Sequence, residues 1–148
     1  MVSTALQSKQ IKFWIPGRVV PKARPRFSGG RTLLPANYRH WRWTAELELI
    51  HQTTEKAWLP ITLPFQQALI EVNLSGKHRG DLDNLAGSCL DALVSAGVLS
   101  DDNVNCVPSL TVTYQPAGEL GVSIVVKPQS SAIAPKRQAR KKSLAKSN

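Results

Sequence analysis

A chain of 148 residues and 16.2 kDa has room for one domain, and that domain can fold without metal or disulfide staples. At 42% hydrophobic and 20% charged residues it reads as globular. No apolar run nears the roughly 18 residues of a membrane span, no charged segment leads an apolar one as in a signal peptide, and two cysteines (Cys89, Cys106) with three scattered histidines make no zinc site. The cysteine count suggests no disulfide framework and a reducing, cytosolic setting. Charge is uneven: 19 Lys/Arg face 10 Asp/Glu for a net +9, and residues 1–45 and 127–148 hold basic side chains and no acid. All ten acids lie between Glu46 and Glu119, five of them from Asp81 to Asp102. A basic frame around an acidic centre suits a polyanion with a cation-dependent site inside. A ribosome-associated or chaperone-like protein has the same charge, so composition alone does not separate the two.

In chain order, residues 1–10 read as a flexible N-terminus. Lys12-Phe13-Trp14-Ile15 is a short strand closed by Pro16-Gly17. The prolines of Pro21-Lys22-Ala23-Arg24-Pro25-Arg26 hold the chain extended. Ser28-Gly29-Gly30 is predicted to be a three-residue loop joining Arg24–Phe27 to Arg31–Leu34. Asn37 is a plausible cap for a helix over residues 38–56, with Trp43, Leu47 and Ile50 at helical spacing, as are Tyr38 and Trp41. The four tryptophans are expected in the core. Residues 68–74 form a strand, and Lys77-His78-Arg79-Gly80 a basic turn. Leu82, Leu85, Ala86, Cys89, Leu90, Leu93 and Val94 give one apolar stripe on a helix over 83–95, with Gly97 closing it. Strands over 109–114 and 120–126 flank Pro116-Ala117-Gly118 and predict a terminal hairpin. From residue 128 the composition is that of a disordered basic tail, with a run at residues 136–142.

The chemistry is carried by Asp81-Leu82-Asp83-Asn84 before the second helix and Asp101-Asp102 after it. In an extended segment residues two apart point to one side, so Asp81 and Asp83 can share a ligand only if the helix begins at or after Asp83. A helix of about 13 residues is about 20 Å long, so Asp102 joins them only if the chain doubles back. Three converging carboxylates need neutralising, because two unit charges 4 Å apart repel by about 4 kcal/mol at an effective dielectric of 20. Oxygen ligands favour Mg²⁺ or Mn²⁺, which in such sites activates water against a phosphodiester. Each piece alone has a plainer reading. Asp83 serves as a helix cap with Asp81 complementing the dipole, and Asp101-Asp102-Asn103 serves as a turn. Asp91 reads as structural, His78 as a phosphate contact or plain surface, and Lys22, Arg24 and Arg26 as a solvated hairpin.

Taken in order, Gly80-Asp81-Leu82-Asp83-Asn84-Leu85, Leu90-Asp91-Ala92-Leu93, Ala96-Gly97-Val98 and Asp101-Asp102-Asn103-Val104 resemble the RusA family of Holliday junction resolvases. Pro21-Lys22-Ala23-Arg24-Pro25-Arg26 resembles the basic motif of phage-type members. The likeness spans residues 11–127 and is read as one nuclease domain. It implies an α/β (α+β) fold, a small mixed β-sheet with two main helices, in a homodimer. It implies a Mg²⁺-dependent crossover junction endodeoxyribonuclease of DNA recombination and repair, cytoplasmic and nucleoid-associated, from a bacterium or phage, that nicks four-way or other branched DNA in pairs. The family's metal-binding aspartates fall on Asp81, Asp83 and Asp102, with Asp101 a neighbour and Asn84 on the family's Asn. Lys22, Arg24, Arg26, Arg31, Lys77 and Arg79 are the expected DNA contacts. Two positions depart from the pattern: Gly87 stands where the family has lysine, and Gly80 where it often has arginine. A mid-helix glycine costs about 1 kcal/mol relative to alanine, and losing one charge-stabilising group costs about 10²–10³ in rate. The alternative is thus a catalytically impaired relative that binds branched DNA without efficient cleavage. A weaker one is a basic nucleic-acid scaffold with no junction preference.

Overall fold

The computed structural model describes residues 10–22, 26–55 and 63–129. Most of the expected N-terminal segment, the tail from residue 130, Arg24 and Trp58 lie outside these residues. The elements are β1 (Ile11–Pro16), β2 (Arg26–Ser28), β3 (Arg31–Leu33), α1 (Ala36–Glu55), β4 (Ala68–Ser75), α2 (Leu82–Ser95), β5 (Ser109–Gln115) and β6 (Gly121–Pro128). The fold is α+β, as the resemblance implies: a four-stranded mixed sheet in the order β1-β6-β4-β5, a separate β2-β3 hairpin and two helices.

Period-two alternation decides which side of the sheet is dry. Cross-strand register aligns Ile11, Phe13 and Ile15 with Val126, Ile124 and Val122, and these in turn with Ile70, Val72 and Leu74. All nine side chains are buried. Each such burial contributes about 1.5–3 kcal/mol. Leu110, Val112 and Tyr114 continue the same face onto β5. There the cover stops short, for Leu110 and Tyr114 are each 40% exposed. The two edges of the sheet differ as well. On β1, the Gln52 side chain of α1 accepts from the Trp14 N–H at 3.0 Å and donates to its carbonyl at 2.7 Å, which blunts that edge. On β5 the outer edge has no strand partner among the described residues.

Three expectations are corrected. The terminal hairpin does not form: β5 pairs in parallel with β4, and β6 inserts antiparallel between β1 and β4. Non-local pairing wins because that slot buries Val122, Ile124 and Val126 completely. The connection crosses the end of β4, where Gly76 (φ +78) lets it pass; a Cβ there would sit 2.5 Å from the Leu120 Cα. The β2-β3 loop has two residues, not three, since Ser28 pairs with Arg31 and Gly29 and Gly30 both take positive φ. On α1, Asn37 lies inside the helix rather than capping it, and the buried side is Tyr38, Trp41, Ala45 and Leu49. Trp43, at 60% exposure, therefore belongs to an outward stripe with Leu47 and Ile50.

α2 follows its apolar stripe closely: Leu85, Ala86, Cys89, Leu90, Ala92 and Leu93 are buried. It joins the parallel pair β4 and β5, as such a crossover must. Its N-terminus therefore lies near the end of β4 and its C-terminus near the start of β5, where Leu99 bridges Phe65.

Candidate metal and phosphate site at the ends of α2

The first acidic pair is set by the start of α2. Asp81 is the N-cap, with extended backbone (φ −82°, ψ 142°), but its carboxylate makes no capping hydrogen bond. Capping is therefore not what this side chain does. Asp83 lies in the first turn, where it accepts from the Asn84 N–H at 2.8 Å. Both carboxylates are exposed. Near a helix N-terminus they are held where the peptide dipoles favour negative charge. The helix begins at Leu82, one residue earlier than the apolar pattern predicts, so the condition that both acids precede the helix is not met: Asp81 keeps an extended backbone while Asp83 is already helical.

The second pair divides its work. Asp101 accepts from the Asp102 N–H at 2.7 Å and from the Asn103 side-chain amide at 3.2 Å. Asn103 in turn accepts from the N–H groups of Asn105 (2.9 Å) and Cys106 (3.1 Å). Asp101 and Asn103 thus build the turn. Asp102 is exposed, and its carboxylate accepts no hydrogen bond among the described residues.

The expected meeting of Asp81, Asp83 and Asp102 does not occur within one chain. Among the described residues no three His, Cys, Asp or Glu side chains converge to hold an ion. The reason is topological. The 14 residues of α2 span about 21 Å between the pairs, and Asp102 lies in the turn before β5 starts back along the helix, so it stays at the C-terminal end.

The basic residues are placed unequally. Lys77 and Arg79 are exposed in the turn immediately before Asp81. His78 between them is half-buried, and its ring stands edge-on to Tyr114 with centroids 6.4 Å apart. Burial first, and then the charge of nearby Arg18, lower its pKa below the usual 6.5, although a 3.3 Å contact to the Gly76 carbonyl opposes this. Its Nε2 is buried without a partner among the described residues. Arg26 and Arg31 lie on β2 and β3, which pair only with each other among the described residues. Lys22 lies against α2, with its N–H donating to the Asn84 carbonyl at 3.1 Å and its ammonium 3.4 Å from Asp91.

Asp91 has the structural role read for it, although its partner was not legible: it accepts from the Tyr38 hydroxyl at 2.7 Å. Burial, and then this bond, push the Tyr38 pKa far above the phenol range. The contributor that escapes a reading of the sequence is Arg18, which lies just after β1 and whose charge acts on His78. The signal for Asp91 was present in the four-residue spacing Asp83, Gly87, Asp91, which stacks all three on one helix face. Arg18 has no local signal.

A family model described as Endodeoxyribonuclease RusA matches residues 16–127. Comparison with curated proteins gives no match. Among the described residues no helix is long and apolar enough to cross a membrane.

Proposed function

The chain belongs to the RusA endodeoxyribonuclease family, and from that premise we propose a Mg²⁺-dependent nuclease that resolves four-way DNA junctions as a homodimer whose two chains share each active site. Family membership implies an endonuclease acting on branched DNA. The separation of the acidic pairs at the two ends of α2 carries the shared-site reading. A two-fold axis beside β5 would bring the Asp81–Asp83 end of one chain to the Asp102 end of its partner. The apolar surface is laid out for this. Leu82 (45% exposed) and Tyr114 flank the first acidic pair, while Val104 (79% exposed) and Leu110 flank the second. Burying these four, with the open edge of β5, gives each end a counterpart.

The donor set fits a hard divalent cation. All the donors are carboxylate oxygens, and Asp81 and Asp102 are not consumed by the fold. When bound, Mg²⁺, or Mn²⁺ in its place, supplies Lewis-acid activation of water against the phosphodiester. Asp81, Asp83 and the partner's equivalent of Asp102 hold that ion. Lys77 and Arg79, next to Asp81, bind backbone phosphates and set the strand's register. Arg26 and Arg31 add affinity from the hairpin, Arg24 adds to the same basic segment in sequence, and the basic tail adds more without sequence preference. Asp101 and Asn84 support the ligands from the neighbouring turn and helix. The chain acts in the cytoplasm, on the host nucleoid or a phage genome, during recombination and repair.

The test is cleavage of a synthetic four-way junction. Paired nicks appear with Mg²⁺ and vanish with EDTA, and Asp83→Asn slows cutting by at least 10² while still binding the junction. Equal cutting by Asp83→Asn and the wild type contradicts the assignment. Gly87 gives the binding-only alternative its one specific support, and tight junction binding with no cleavage by the wild type would favour that alternative.

A further inference from the structure

Asp83, Gly87 and Asp91 form one face of α2, and Lys22 lies across it. The segment carrying Lys22 is fastened at three points. Pro21 packs over Gly80, where a Cβ would come within 2.7 Å of the ring. The Ser88 hydroxyl donates to the Val20 carbonyl at 2.6 Å, and the Lys22 N–H donates to the Asn84 carbonyl at 3.1 Å. Val19, just upstream, is buried in the core. So anchored, the Lys22 stem crosses the helix at Gly87, where an added Cβ would lie 3.3 Å from the Lys22 Cδ. The backbone at Gly87 lies outside the positive-φ region, so the helix itself does not require a glycine there.

Resting on the nuclease reading above, we propose that Lys22 is the cation that grips the DNA phosphate beside Asp83, and that residue 87 is glycine to seat its stem. A segment outside the helix brings the Lys22 stem across one turn along from Asp83, at Gly87, and its ammonium rests a further turn along, at Asp91, from where the unbranched chain can swing back toward Asp83. Its present partner holds it loosely: the Asp91 contact is 3.4 Å long and the Lys22 side chain is 49% exposed. Such exposed pairs are weak and screened by salt. Asp91 also keeps the 2.7 Å bond from Tyr38 when the lysine leaves, so moving the ammonium to a phosphate strands no carboxylate. Asp91 and Tyr38 thereby act as a rest for the lysine, and Gly87 as its saddle.

The test compares the wild type with Lys22→Met, which keeps an unbranched stem over Gly87 and removes the charge, and with the double variant Lys22→Ala/Gly87→Lys, which returns an ammonium to the same face. Junction affinity is titrated with KCl in EDTA, and cleavage is measured in Mg²⁺. In Lys22→Met the slope of log affinity against log salt falls by about 0.9, the value of one phosphate contact, and cleavage slows by about 10²–10³. The double variant recovers both in part. An unchanged slope with unchanged cleavage in Lys22→Met overturns the proposal, and a double variant no better than Lys22→Met overturns the link to Gly87. A wild type that shows the steeper slope but never cuts supports Lys22 as the phosphate contact and overturns the nuclease reading instead.

Discussion

The two ends of α2 carry similar acidic pairs in different settings. At the N-terminal end, Asp81 and Asp83 sit beside Lys77 and Arg79, with the Lys22 stem crossing the same helix face one turn further along and its ammonium at Asp91. At the C-terminal end, Asp101 spends both oxygens on its own turn and leaves Asp102 standing beside it, and among the described residues neither forms an ion pair. One end is furnished for a polyanion, while the other offers a single carboxylate. The difference teaches that the two ends are not equivalent, and on the proposed reading a metal centre that draws on both takes them from two chains.

The sharpest way to break this contrast is to treat the second pair as equivalent residues. Asp102→Asn should reduce junction cleavage by at least 10², whereas Asp101→Asn, which keeps a side chain able to hold the turn, should cost less than about tenfold. Equal losses measured under single-turnover conditions would erase the division of labour. Next in size is the interface. Leu110→Glu places an unpaired carboxylate in the apolar strip of β5 and should weaken association by on the order of 2 kcal/mol, more than tenfold. Size-exclusion chromatography should then find monomers with unchanged circular dichroism and little cleavage. A fully active monomer would remove the need for a second chain.

The smallest effect concerns the His78 turn. Its pKa is lowered in the fold, so below pH 6.5 the unfolded chain takes up the proton first. Stability is therefore complete above pH 6.5 and falls as the pH drops through it. Urea midpoints of the wild type should decline between pH 7.5 and 5.5 more than those of His78→Gln. Parallel declines would show that the ring is not kept neutral by its surroundings.

The legible parts of the molecule are those set by local chemistry. The stripe from Leu82 to Val94 defined α2 to within a residue, because one face alternates 3, 1, 3, 1 and the other is polar. α1 was harder to read, since Trp43, Leu47 and Ile50 outweigh Tyr38, Trp41, Ala45 and Leu49 in hydrophobicity yet face outward. Which stripe packs is decided by neighbours: Asp91 receives the Tyr38 hydroxyl, and Ala45 is fully buried. The insertion of β6 between β1 and β4 left no mark in the sequence, because Pro116-Ala117-Gly118 suits a hairpin as well as a crossing. The acidic residues were visible from their order, and so was the helix of about 20 Å between them; whether the chain doubles back in time to rejoin them was not, since that follows from where β5 begins beside β4. Lys22 was one of several basics on an extended segment, and only the fold places it on Gly87.

The shared site is tested most directly by mixing two dead proteins. Asp83→Asn and Asp102→Asn are co-expressed with different tags, and the heterodimer is isolated. If each site takes Asp81 and Asp83 from one chain and Asp102 from the other, the heterodimer holds one intact site and one doubly damaged site. It should nick one strand of the junction at up to half the wild-type rate without making the paired cut. A heterodimer as inactive as its parents, with intact dimers and normal junction binding, would place all three carboxylates in a single chain and contradict the shared site.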